Sequence, residues 1–144
     1  DLTFAATINA VLHCGATPVI VDIDPVTWGL SYETVKPALT SRTKAILPVH
    51  RYGRPVAMGP VPKLAKAHRL HVIEDCAEAI GGRHAGRMVG SFGEVACFSF
   101  FANKTITTWR FLPANNVTIS HMIEKVRWME LPIYLATKQQ CCYY

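Results

Sequence analysis

His71-Val72-Ile73-Glu74-Asp75 and Val95-Ala96-Cys97-Phe98-Ser99-Phe100-Phe101, the latter followed by Ala102-Asn103-Lys104, decide how this chain is read. Each run is rich in β-branched, aromatic or other apolar residues and is short enough to be a buried strand. Working outward, two earlier runs of the same kind, Thr17 to Ile23 and Lys44 to Val49, start at an even spacing that suits strand-helix-strand units. Helix-like stretches fill the gaps: Ala5 to Cys14 closed by Gly15, Tyr32 to Leu39, and Val61 to Arg69. Strands alternating with helices predict an α/β fold with a mostly parallel sheet and flanking helices. Arg83 to Val89, centred on Ala85-Gly86, reads as a small hairpin.

Composition narrows the classes. The chain has 144 residues, 50% of them apolar and 17% charged, so it has room for a packed core and is not disordered. No apolar run reaches the roughly 18 to 20 residues of a membrane span. Asp1-Leu2-Thr3-Phe4 lacks the basic and apolar regions of a signal peptide, so a cytoplasmic protein without a membrane partner is expected. The five cysteines, at 14, 76, 97, 141 and 142, form no CxxC pair and argue against a disulfide framework or a zinc site. His13, His68, His71, His84 and His121 lack metal-ligand spacing, and no metal is expected; His50, just past a strand end, is placed at the border of a crevice. The formal charge of +5 is dispersed along the chain rather than striped, which disfavours a nucleic-acid partner. After Thr108 the texture changes: Trp109 to Tyr144 offers one helix, Ile119 to Leu131, ended by Pro132, and no further strand.

Chemistry concentrates at two strand ends. In an open parallel sheet the carboxyl ends of the strands converge on one crevice, which places Asp75 and Lys104 opposite a common ligand. A lysine able to form a Schiff base and an acid able to hold a pyridinium nitrogen are the minimal equipment of a pyridoxal phosphate site. Each candidate also has a plainer reading. Lys104 is by position alone a solvated lysine, although the aromatic run before it desolvates the amine. Asp75 suits the N-cap of a turn over Cys76 to Ala79, and Glu78, one helical turn on, suits the surface. Ser99, inside the aromatic strand, is either satisfied by backbone or holds a phosphate. Phe4 is either core or a flat cover for a planar cofactor. A noncatalytic α/β module, or an aldolase using Lys104 without a cofactor, remain open on these residues alone.

Taken in order, several segments resemble the DegT/DnrJ/EryC1/StrS family of sugar-nucleotide aminotransferases. They are Leu2 to Thr7, Gly15 to Val19 with Val21-Asp22-Ile23-Asp24, Pro48-Val49-His50-Arg51-Tyr52-Gly53, Val72 to Ala79, and Cys97 to Lys104. The resemblance covers residues 1–108. It implies a partial large domain of a fold type I, aspartate aminotransferase-like pyridoxal phosphate enzyme, acting as a homodimer. It implies that Lys104 forms the Schiff base and shuttles the proton, Asp75 pairs with the pyridinium nitrogen, Ser99 binds the cofactor phosphate and Phe4 stacks on the ring. Glu78 lies beside the cofactor, where relatives often carry glutamine. Relatives with histidine at the lysine position catalyse dehydration, so Lys104 implies transamination. Glu78 and the residues around Lys104 look most like the branch that converts GDP-4-keto-6-deoxymannose to GDP-perosamine, with glutamate as amino donor, for surface polysaccharide or glycoside synthesis. After Thr108 the family continues with a Gly-Glu-Gly-Gly stretch, whereas Trp109-Arg110-Phe111-Leu112 follows here. Residues 109–144 are therefore read as a divergent tail, frameshifted or chimeric. The family's earlier segment and closing domain are not in this chain, which is expected to be inactive alone.

Overall fold

The computed structural model describes residues 3–101 and Lys104; the tail at 109–144, with the helix expected at 119–131, lies outside them. Helix α1 spans Ala5–His13 and is followed by a turn at Cys14-Gly15 and chain without regular secondary structure to Asp24. Helix α2, Tyr32–Val35, starts on a capping box in which Ser31 Oγ accepts from the Thr34 N–H (3.3 Å) and Thr34 Oγ1 accepts from the Ser31 N–H (3.1 Å). It tightens into a 3-10 turn over Lys36–Ala38, where Pro37 has no N–H to continue an α-helix.

Strand β1 (Ala45–Ile46), helix α3 (Pro60–His68) and strand β2 (His71–Asp75) form the first strand-helix-strand unit. Helix α3 opens on Pro60, buries Val61, Leu64 and Ala65 at helical spacing, and closes on Arg69 in the left-handed region (φ 54°). The Leu70 N–H reaches back to the Ala65 carbonyl at 2.8 Å, a Schellman-type stop. A hairpin of β3 (Arg83–His84) and β4 (Arg87–Met88) turns on Ala85 and Gly86, both at positive φ as a type I′ turn requires. Strand β5 (Val95–Cys97) completes a three-stranded parallel sheet in the order β1-β2-β5. This is the α/β, parallel-sheet architecture expected from the sequence.

The core lies between the sheet and the helices, built on Ile46, Val56, Met58, Val61, Leu64 and Val72. Full burial of one such side chain contributes about 1.5–3 kcal/mol. A second, smaller cluster of Cys76, Ala79 and Val89 sits under the hairpin.

Three expected strands differ. Residues 17–23 form no strand, and Val19 and Ile20 are exposed, because a β-prone run becomes a strand only in a backbone ladder with a neighbouring strand, and no such ladder runs beside them among the described residues. The run from Val95 is paired only to Cys97, since β2 ends at the register partner Asp75 and the chain then turns away. Ser99 therefore lies past the strand, not inside it. The expected run Lys44 to Val49 is likewise interrupted at Leu47-Pro48, with a bridge resuming at Val49 opposite Asp75.

Candidate active site

Asp75 ends the central strand and is fixed from both sides. Its N–H donates to the Pro48 carbonyl (2.9 Å) and its carbonyl accepts from the His50 N–H (2.9 Å), while the Cys76 N–H donates to Cys97 on β5 (2.8 Å). With the backbone held, the carboxylate projects beyond the strand end, where parallel sheets bind ligands. Its Oδ1 accepts from the Ala77 N–H (3.0 Å), which makes a turn over residues 76–79 rather than the start of a helix. Its Oδ2 accepts from the Thr7 hydroxyl (2.7 Å), and Thr7 Oγ1 in turn accepts from Thr3 Oγ1 (3.0 Å). The first turn of α1 is thereby tied to the strand end. Phe4 stands just before that turn with 72% of its surface exposed.

Glu78 is shared between two cations. Its Oε1 lies 3.6 Å from Lys104 Nζ, and its Oε2 lies 3.4 Å from Arg51 Nε and accepts from the Tyr52 N–H at 3.4 Å. The Gly53 N–H donates to the Glu78 carbonyl (2.8 Å), so the 51–53 loop wraps residue 78. Tyr52 and Gly53 both take positive φ to make that turn. Ser99 is half-buried, and its Oγ accepts from the Phe101 N–H at 3.4 Å. The structure thus joins Asp75 to Thr7, and Lys104 to Glu78; Phe4 meets the first pair through its carbonyl, which accepts from the Thr7 N–H (3.1 Å), and the described contacts do not join Ser99 to either pair.

Beneath these groups Glu74 is completely buried and carries a dense set of hydrogen bonds. Its oxygens accept from the N–H groups of Gly90 (2.8 Å), Phe92 (2.7 Å) and Gly93 (2.7 Å), and from His50 Nε2 (3.1 Å). Burial pushes the Glu74 pKa up, but the His50 bond and the three backbone donors outweigh it and hold the carboxyl below its ordinary range. His50 is fixed as well: Nδ1 accepts from the Val56 N–H (3.0 Å), which leaves the ring proton on Nε2 facing Glu74. His50 therefore lies inside the core and does not border the crevice. Cys76, also buried, has its thiol pushed up to about 12, first by burial and then by the charges of Glu74 and Asp75. His50, Glu74 and Cys76 come within 4.8 Å of one another, but both histidine nitrogens and both Glu74 oxygens are already committed to hydrogen bonds.

Sequence reasoning overlooked Thr7, Arg51 and Glu74 as parts of this arrangement. Glu74 had a readable signal: it shares a face with Val72, so strand alternation puts a charge on the core side. Thr7 and Arg51 act through side-chain pairings with residues distant in sequence, which no local pattern encodes.

The chain is 50% identical over 107 residues to GDP-perosamine synthase of Escherichia coli O157:H7, covering 74% of this chain and 29% of the relative. It is 52% identical over 104 residues to the UDP-N-acetyl-3-dehydro-alpha-D-glucosamine 3-aminotransferase of Acidithiobacillus ferrooxidans, covering 72% and 28%. Among solved structures, NtdA of Bacillus subtilis with bound cofactor PMP superposes with a TM-score of 0.67 at 36% identity, over 73% of this chain and 23% of that one. The chain spans less than a third of the length of these relatives. A profile of the DegT/DnrJ/EryC1/StrS aminotransferase family matches residues 1–109. Ordered motifs, parallel sheet and match agree, and the chain belongs to this family of pyridoxal phosphate-dependent aminotransferases.

Proposed function

We propose that residues 1–108 are part of the cofactor-binding large domain of a cytoplasmic, homodimeric aminotransferase, and that residues 109–144 are a divergent tail. The enzyme moves the amino group of glutamate to the keto carbon of a nucleotide-linked 4-keto-6-deoxy sugar, giving the amino sugar and 2-oxoglutarate. The GDP-4-keto-6-deoxymannose to GDP-perosamine conversion, for surface polysaccharide or glycoside synthesis, is the reading that the relative from E. coli favours. The observation that carries it is an acid fixed at the end of the central strand, followed three residues later by a carboxylate, Glu78, that pairs with Lys104.

The donor set suits pyridoxal phosphate. A carboxylate for a ring nitrogen, an amine for an aldehyde, a hydroxyl for a phosphate and an exposed aromatic ring for a stacking face are all in the described residues. When bound, the cofactor supplies an electron sink that makes the proton on the donor's α-carbon removable. Asp75 would hold the ring-nitrogen proton, with Thr7 keeping its carboxylate oriented. Lys104 Nζ would hold the aldehyde and move the proton of the donor and acceptor carbons. Ser99 Oγ would donate to the phosphate and Phe4 would offer a stacking face, while Glu78 lies beside Lys104.

Borohydride reduction of the chain in pyridoxal phosphate tests the anchor: the pyridoxyl mass should appear on the Lys104 peptide and vanish in Lys104→Ala. Activity is tested by replacing the matching segment of the E. coli GDP-perosamine synthase with residues 1–108. That chimera should aminate GDP-4-keto-6-deoxymannose from glutamate, and Lys104→Ala within it should lose about 10³-fold or more. Pyridoxyl label on other lysines only, or a Lys104→Ala chimera with unchanged turnover, would overturn the reading.

A further inference from the structure

Around Glu78 two cations share one carboxylate. Lys104 Nζ stands 3.6 Å from Oε1 and Arg51 Nε stands 3.4 Å from Oε2, so neither cation holds the charge alone. The three side chains are only 13% (Arg51), 26% (Glu78) and 22% (Lys104) exposed, and solvent screens them incompletely. Arg51 Nε is itself buried and makes no hydrogen bond, so its attraction to Glu78 is one of charge rather than of aligned donor and acceptor. The guanidinium is held from its far side: Nη2 donates to the Tyr52 hydroxyl (3.2 Å), and its carbon lies 4.9 Å from the Tyr52 ring centroid. The Tyr52 N–H adds a third positive pole at Oε2.

We propose that Arg51 is a positioning residue for the reactive amine. It anchors Glu78 by Oε2, presents only Oε1 to Lys104, and takes enough of the carboxylate's charge to keep the lysine's ion pair weak. The inference rests on Lys104 being the reactive amine, but the coupling can be read without cofactor. With Arg51 removed, Glu78 would face Lys104 undivided, and an ammonium paired to a whole carboxylate is a poorer nucleophile.

The test is the rate at which a small acylating reagent labels Lys104 at pH 8, read by peptide mass spectrometry in the cofactor-free chain. Protection of Cys76 from iodoacetamide certifies folding in each variant, and a variant that loses it is read in the chimera instead. Arg51→Gln should slow labelling about threefold to tenfold, whereas Arg51→Lys, which keeps the charge, should stay near the parent. Glu78→Gln should speed labelling, and adding Arg51→Gln to it should have less than half of its single effect. No change or a faster rate in Arg51→Gln, an Arg51→Lys as slow as Arg51→Gln, or the same slowing without Glu78, would overturn the proposal. Lys104 that shows this coupling yet captures no pyridoxal phosphate would leave the inference standing and defeat the functional reading.

Discussion

Glu74 brings a negative charge into the interior and is met there by three backbone N–H groups and a histidine. Glu74→Gln would turn an amide group toward some of these donors, so it should destabilise the fold by about 3 kcal/mol, read as the shift in urea unfolding. The same site sets an acid limit. Because its folded pKa is depressed, its stabilisation is fully present above the unfolded carboxyl value near about 4.3 and is lost as pH falls through the folded value. Stability should therefore drop below about pH 4, and Glu74→Gln should flatten that acid limb. At this scale Asp75 and Lys104 were legible as candidates because they follow apolar runs. Arg51 and Thr7 were not, since their importance comes from one carboxylate each, at Glu78 and Asp75, brought near only by the fold.

Among the elements, helix α3 was readable almost to the residue, because Pro60 starts it, an apolar stripe lines it and the chain turns after His68. Arg69 nevertheless occupies a left-handed stop that suits glycine. Arg69→Gly should stabilise the chain by about 0.5–1 kcal/mol, the relief of that strain less the added entropy of the unfolded chain, measured by thermal unfolding. Strand β2 was equally legible, but the extent of its neighbours was not. A strand's length is set by how far its partners run beside it, and β5 stops where β2 does. The run at 17–23 illustrates the same limit from the other side: β-forming residues lie there without a ladder.

For the whole molecule, the apolar surface is unevenly covered. Helix α1 buries none of its residues, and Leu12, Val19, Ile20 and Val26 are exposed. Sequence pattern marked these residues as apolar but not as uncovered, because a hydrophobic stripe looks the same whether its cover lies in the same chain or in another. Uncovered apolar area favours association. Sedimentation should show the chain self-associating, and Leu12→Lys with Ile20→Lys should shift it toward monomer. The tie between Thr7 and Asp75 spans 68 residues of sequence, and it links a helix with no buried side chain to the most tightly held strand. Closing so long a loop is entropically costly and returns few contacts here, so α1 should dock last during folding and detach first in the native state. Its amides should exchange with deuterium far faster than those of β2, and Thr7→Val should quicken them about tenfold more while β2 stays protected. The carboxylate at the strand end would then exist in two populations, clasped by the helix or open to solvent, and a ligand seated on it would reveal itself by slowing exchange in α1.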